Sequence, residues 1–165
     1  MTWVPLPPVP RRPPLCQTAE STGVDVSSDS DDAPTDLDGL FIGGLTDAEK
    51  AHFLEKHAIT SMLTVCFWRP VIPWVESRRV FPRGSVSDPD AMKRYFGYFQ
   101  DSHRWVQDER TASDAGHILI HSDEGRSRAP IVLMAHIMQQ YDWTAIHAFQ
   151  YVRQYRSDIL MPPEF

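Results

Sequence analysis

The eight residues His121-Ser122-Asp123-Glu124-Gly125-Arg126-Ser127-Arg128 constrain this chain more than any other segment. They follow residues 116–121 (GHILIH), a short apolar run that reads as a buried strand. They lead directly into residues 129–140, an apolar stretch with Pro130 in its first turn, where a missing N–H costs nothing. That stretch is hydrophobic nearly all round through Ile131, Val132, Leu133, Met134, Ile137 and Met138, so it predicts a central, buried helix. Between such a strand and helix, successive backbone N–H groups turn into one concavity, and the helix dipole adds positive potential. A tetrahedral dianion fits there. Gly125 permits a tight turn that a Cβ obstructs. Arg128 can fork two hydrogen bonds onto phosphate oxygens. Asp123, Glu124, Gly125, Arg126, Ser127 and Arg128 are therefore the candidate phosphate-binding set. Asp123 and Glu124 are compatible with an anion only if their amides, and not their carboxylates, face it.

The rest of the chain supplies a frame for this loop. Residues 37–45 (LDGLFIGGL) predict a strand and a turn, and Thr46 with Glu49 has capping-box spacing ahead of a helix over 46–57, with Phe53 and Leu54 facing the core. Residues 59–67 (ITSMLTVCF) predict a buried strand, and Val80 and Phe81 a short one. Helical periodicity runs over 90–109 through Met92, Tyr95, Phe96, Phe99 and Val106, and again over 143–156 with Ile146, Phe149 and Val152 inward. Strands alternating with helices predict an α/β fold, a central mostly parallel sheet flanked by helices. The domain is expected over 37–165. Residues 1–36 form a proline-rich and then acidic tail (WVPLPPVPRRPP, then STGVDVSSDSDDAPTD), expected to be disordered.

HSDEGRSR resembles the HCxxGxSR signature of the dual-specificity phosphatases within the cysteine-dependent protein-tyrosine phosphatase superfamily. The resemblance extends over about 37–165. GLFIGG with the following helix and ITSMLTV is similar to the family's opening strand, helix and strand. SDPDAMKRYF resembles its general-acid loop, and AFQYVRQYRSDILMPPEF its closing helix and the run beyond it. The resemblance implies the family's fold and a shallow phosphate pocket. It assigns the nucleophile position to Ser122, the phosphate-binding arginine to Arg128, the strand-end histidine to His121, and the general acid to Asp88, with Asp90 as the alternative. Either aspartate serves equally as a helix N-cap.

Serine at the nucleophile position changes the expected chemistry. The family's reaction needs a thiolate, which the loop's amides and dipole stabilise by depressing a cysteine pKa below its ordinary ~8.5. A serine hydroxyl is a far weaker acid, and the signature holds no evident general base for it. Ala129 also departs from members with a hydroxyl just after the arginine, where it helps the thiolate leave. The first expectation is thus a pseudophosphatase that binds phosphotyrosine or phosphothreonine proteins. The second is an active protein phosphatase represented by a Cys→Ser variant. A chain that opens on Met1 without a tag favours the first. The third is an adaptor whose tail, from Leu6 to Arg12 (LPPVPRR), docks an SH3 domain.

Composition narrows the field further. A net charge of −6 argues against broad nucleic-acid binding, and no run approaches the ~20 apolar residues of a membrane span. The two cysteines, Cys16 and Cys66, make no disulfide framework. Cys66 is expected as a small core hydrophobe. The expected location is the cytoplasm, with the nucleus as a second compartment. His52, His57, His103, His117, His136 and His147 show no paired metal-ligand spacing and are expected on the surface or satisfied in the core, so neither metal nor cofactor is expected. Arg69, Arg78 and Arg79 are open between pocket rim and solvated surface.

Overall fold

Alternation along three strands decides how the chain is layered. In the computed structural model, which describes residues 35–37, 39–67, 70–79, 91–112 and 115–161, these are β2 (Leu40–Gly43), β3 (Ile59–Thr64) and β5 (His117–His121). Leu40, Ile42, Leu63, Ile118 and Ile120 enter one apolar cluster, whereas Phe41, Ile59, Met62 and Leu119 enter another. A strand with period-2 side chains that is apolar on both faces must be covered on both. The sheet is five-stranded in the order β1-β2-β5-β3-β4, with β1 (Thr35–Leu37) and β4 (Glu76–Arg79) at its edges. β1 pairs antiparallel with β2; all other pairings are parallel. The predicted α/β architecture with a mostly parallel sheet is what forms.

The larger cluster lies under α3 (Ala91–Thr111), α4 (Arg128–Tyr141) and α5 (Ala145–Tyr155), through Trp105, Val106, Leu133, Ile137, Ala148 and Val152. The smaller lies under α1 (Leu45–Glu49) and α2 (Ala51–Lys56), through Ala48 and Leu54. α4 has the central place that its composition predicts, with buried residues on most of its circumference. Each fully buried Leu or Ile contributes about 1.5–3 kcal/mol relative to exposure. The helix ends at Asp142, left-handed at φ 54°, whose N–H donates to the Met138 carbonyl. A short polar side chain tolerates that conformation. Thr144 then caps α5, accepting a hydrogen bond from the His147 N–H at 3.4 Å.

Several expectations are corrected. The single helix over 46–57 is two short ones, because Lys50 leaves the helical region at φ −82°, ψ 90°. Its carbonyl accepts from the Phe53 and Leu54 N–H groups and starts the second helix. The cap is not the Thr46–Glu49 box: Asp47 Oδ2 accepts the Gly44 N–H at 3.0 Å. The buried face of α3 runs through Ser102, Trp105 and Val106, so Phe96 is 63% exposed. It borders an open apolar groove of about 430 Å3 with Phe99, Ile131, Met134, Met138 and Met161. Ile146, expected inward, is 56% exposed in the first turn of α5. The strand at Val80 and Phe81 falls outside the described residues, as do the general-acid candidates Asp88 and Asp90, Arg69 and most of the tail. Arg78 is exposed on the edge strand β4. No helix among the described residues is long and apolar enough to cross a membrane.

Candidate functional site

The loop from Ser122 to Ser127 leaves the C-terminal end of β5, at the centre of the sheet, and enters α4 at Arg128. In an open parallel sheet this end of the strands is where ligands bind. The loop is fastened on its β2 side, where the Ser122 N–H donates to the Gly43 carbonyl at 3.3 Å and the Leu45 N–H to the Asp123 carbonyl at 3.0 Å. It is fastened again from the segment after α5. Arg156, almost buried, donates through Nη2 to the Glu124 carbonyl at 3.3 Å. The Leu160 N–H donates to the Arg126 carbonyl at 2.7 Å. Asp158 lies between two arginines, accepting from Arg156 Nε at 2.9 Å and standing 3.2 Å from Arg126 Nε. These supports were not singled out from sequence; the only signal was that Arg156 and Asp158 fall within the stretch resembling the family's closing run.

Gly125 is the tightest point. Its φ is +69°, and an added Cβ would stand 2.4 Å from the Gly43 carbonyl oxygen and 2.8 Å from the Gly44 nitrogen. Both the left-handed backbone and the close approach require glycine. Gly125→Ala must displace backbone on one side or the other, so it is expected to cost about 1–3 kcal/mol of stability. A urea midpoint unchanged from the parent would contradict this packing.

Ser122 is buried at the floor of the loop. Its Oγ accepts the Gly125 N–H at 3.2 Å and the Ala129 N–H at 3.4 Å. No side-chain base bonds to it among the described residues. The N–H groups of Asp123, Glu124, Arg126, Ser127 and Arg128 have no acceptor among those residues either. A buried or half-buried amide without a protein partner is the kind of donor an anion satisfies. His121 is fully buried, with Nε2 2.8 Å from Thr64 Oγ1. Burial lowers its pKa to about 4, against a smaller opposing pull from Asp123. The imidazole is thus neutral at pH 7 and adds no positive charge, so the loop's potential comes from its amides and arginines.

The loop acids do turn outward, both carboxylates being exposed. Asp123, however, does not simply face water. It forms an ion pair with Arg128, the arginine expected to grip phosphate. That pairing was not foreseen. Cys66, expected in the core, is fully buried. Among the described residues no group of three or more His, Cys, Asp or Glu could hold a metal ion.

The same architecture recurs in known proteins. The protein-tyrosine-phosphatase IBR5 of Arabidopsis thaliana is 23% identical over 128 residues, taking in 76% of this chain and 45% of that protein. The chain spans less than two thirds of its first curated relatives, at 45%, 57% and 31% of their lengths. Human DUSP28 superimposes with a TM-score of 0.66 at 22% identity, covering 79% of this chain and 88% of that one. The human tyrosine phosphatase-like serine/threonine/tyrosine-interacting protein does so at 0.66 and 21%, covering 79% and 89%. These likenesses bear on the fold. Residues 40–165 match the model of the dual specificity phosphatase catalytic domain, a stretch that contains the sheet from β2 onward, the Ser122–Arg128 loop and its supports, and with it the chain belongs to the dual specificity phosphatase family.

Proposed function

We propose that this domain binds phosphorylated tyrosine or threonine side chains of a protein partner in the Ser122–Arg128 loop without hydrolysing them. The observation that carries the proposal is the environment of Ser122 Oγ. It receives two amide hydrogen bonds, and no side-chain base among the described residues reaches it. Those bonds stabilise charge on the atom, but no group among the described residues is placed to remove its proton, and a hydroxyl does not ionise near pH 7 by such help alone. The loop amides that have no acceptor among the described residues, together with Arg128, still offer donors to a dianion. Binding and turnover are therefore separated at one atom. Named phosphatases among the relatives, such as the dual specificity protein phosphatase 5 of Rattus norvegicus, support a phosphorylated protein as the ligand class.

Two measurements test this. The purified protein should release no phenolate from an aryl phosphate above the buffer rate; turnover that disappears in Arg128→Ala would sink the proposal. Calorimetry with a phosphotyrosine peptide should detect binding that weakens at least about tenfold in Arg128→Lys, because lysine cannot reproduce the planar fork of charge-assisted bonds. The unphosphorylated peptide should give no heat. A second reading, an active phosphatase represented by a Cys→Ser variant, is favoured by the same two amides, which suit a thiolate. Restoring the sulfur discriminates it. A separate adaptor role through the segment from Leu6 to Arg12 predicts that an SH3 partner is lost with the tail and is indifferent to Arg128.

A further inference from the structure

The phosphate-reading assignment rests on Arg128, and Arg128 is already engaged. Its Nη2 donates to Asp123 Oδ2 across the mouth of the loop, from the first residue of α4 back to the residue after Ser122. Both side chains are about half exposed, at 42% and 47%. The other loop acid is placed differently. Glu124 is 76% exposed, and the cation near it is Arg126, 4.0 Å away. Arg126 is in turn held 3.2 Å from Asp158. The two acids next to Ser122 therefore have different partners, and only Asp123 takes the guanidinium that the bound anion needs.

We propose that Asp123 sets the affinity of the site by competing with the ligand for Arg128, so that binding is an exchange of carboxylate for phosphoryl group. The inference builds on the function proposed above and concerns its regulation. A guanidinium grips phosphate through two parallel N–H bonds from one edge of its plane. A carboxylate on Nη2 removes one of those donors. A phosphoryl dianion carries more charge than the carboxylate and also satisfies the loop amides, so it displaces Asp123, but with less net gain than at an unpaired arginine. A ligand lacking the amide contacts or the second charge gains too little to open the pair. The side chain of Asp123 has no part in fastening the loop, because it is the Asp123 carbonyl that accepts from Leu45. Asp123→Asn thus removes the competitor and leaves the fastening intact.

Calorimetry with one phosphotyrosine peptide at fixed ionic strength tests the exchange on the full chain and three variants. Asp123→Asn is expected to tighten binding about twofold to fivefold, in keeping with a half-exposed ion pair. Glu124→Gln, which removes the same charge from the neighbouring position, is expected to change it less than about twofold. Equal tightening by both variants would mean general charge repulsion and would overturn the exchange, as would an unchanged affinity in Asp123→Asn. Arg128→Lys reports on the reading beneath. If the parent binds, Arg128→Lys weakens and Asp123→Asn has no effect, the phosphate site stands and the exchange falls. If no variant binds the peptide, both fall.

Discussion

Ser122→Cys is expected to release a burst of phenolate, about one equivalent per chain, from an aryl phosphate, where the parent on the reading proposed above releases none. The gain over the parent is on the order of a thousandfold or more, the scale on which loss of a nucleophile is felt. The geometry supplies the argument. The Gly125 and Ala129 amides stand 3.2 and 3.4 Å from Ser122 Oγ. Those distances exceed the usual 2.9–3.0 Å of an N–H···O bond and leave room for the larger sulfur atom. The same two donors then stabilise a thiolate, drawing its pKa below ~8.5. The sulfur attacks phosphorus, the S–P bond forms, the P–O bond to the ring breaks, and the phenolate leaves with the electron pair. Water must next release the phosphate from sulfur. Ala129 offers no hydroxyl to assist that departing thiolate, so the burst should be faster than the steady rate. The pH dependence of iodoacetate alkylation gives the thiol pKa directly, with the parent as background; Cys66 is fully buried and reacts little. An ordinary thiol pKa together with no burst would show that the loop is not a thiolate cradle.

What could be read from the sequence was what is local. Gly125, Arg128 and the switch from a β-rich run to an all-round apolar helix lie within twenty or so residues, and their meaning follows from the steric and hydrogen-bonding needs of a strand–loop–helix. The sheet was legible because period-2 apolar runs at β2, β3 and β5 must pair and be covered. What escaped was set by tertiary contact. Lys50 breaks a helix without glycine or proline to announce it. Phe96 and Ile146 fit helical periodicity, but each lies one step outside the buried stripe that packing selects. Arg156 reaches the Glu124 carbonyl across 32 positions of sequence, a pairing no local pattern encodes. The Asp123–Arg128 pair was hidden differently. Sequence placed both residues in the loop, but whether the carboxylate points to water or to the arginine is a matter of side-chain torsion.

Acidification from pH 7 to pH 5 is expected to remove up to about 4 kcal/mol of stability through two buried histidines. His136 on α4 is 2% exposed, its Nδ1 lies 3.1 Å from His103 Nδ1 on α3, and its Nε2 has no hydrogen-bond partner among the described residues. Burial, with the charges of His103 and Arg110 adding to it, lowers its pKa to about 3. His121 is lowered to about 4, chiefly by burial. Both stay neutral in the fold while the unfolded chain takes up a proton at each near pH 6.5. The unfolded state therefore binds more protons below that value, and stability falls as pH drops from about 6.5 toward the folded pKa values. At pH 5 each histidine accounts for roughly 1.5 units of this difference, about 2 kcal/mol at 1.36 kcal/mol per unit. His103, also lowered by burial, pulls the same way in the pair with His136. Urea midpoints of the parent at pH 7 and pH 5, compared with His136→Asn and His121→Asn, measure the effect. Each variant should lose about half of the pH dependence, whatever its own stability at pH 7. Two parallel lines, with variants as acid-sensitive as the parent, would place the titrating groups elsewhere. The link to the site is direct: His121 joins β5 to the phosphate loop and α4 opens with Arg128, so the opening that lets either imidazole take up a proton releases the elements that hold the loop in shape.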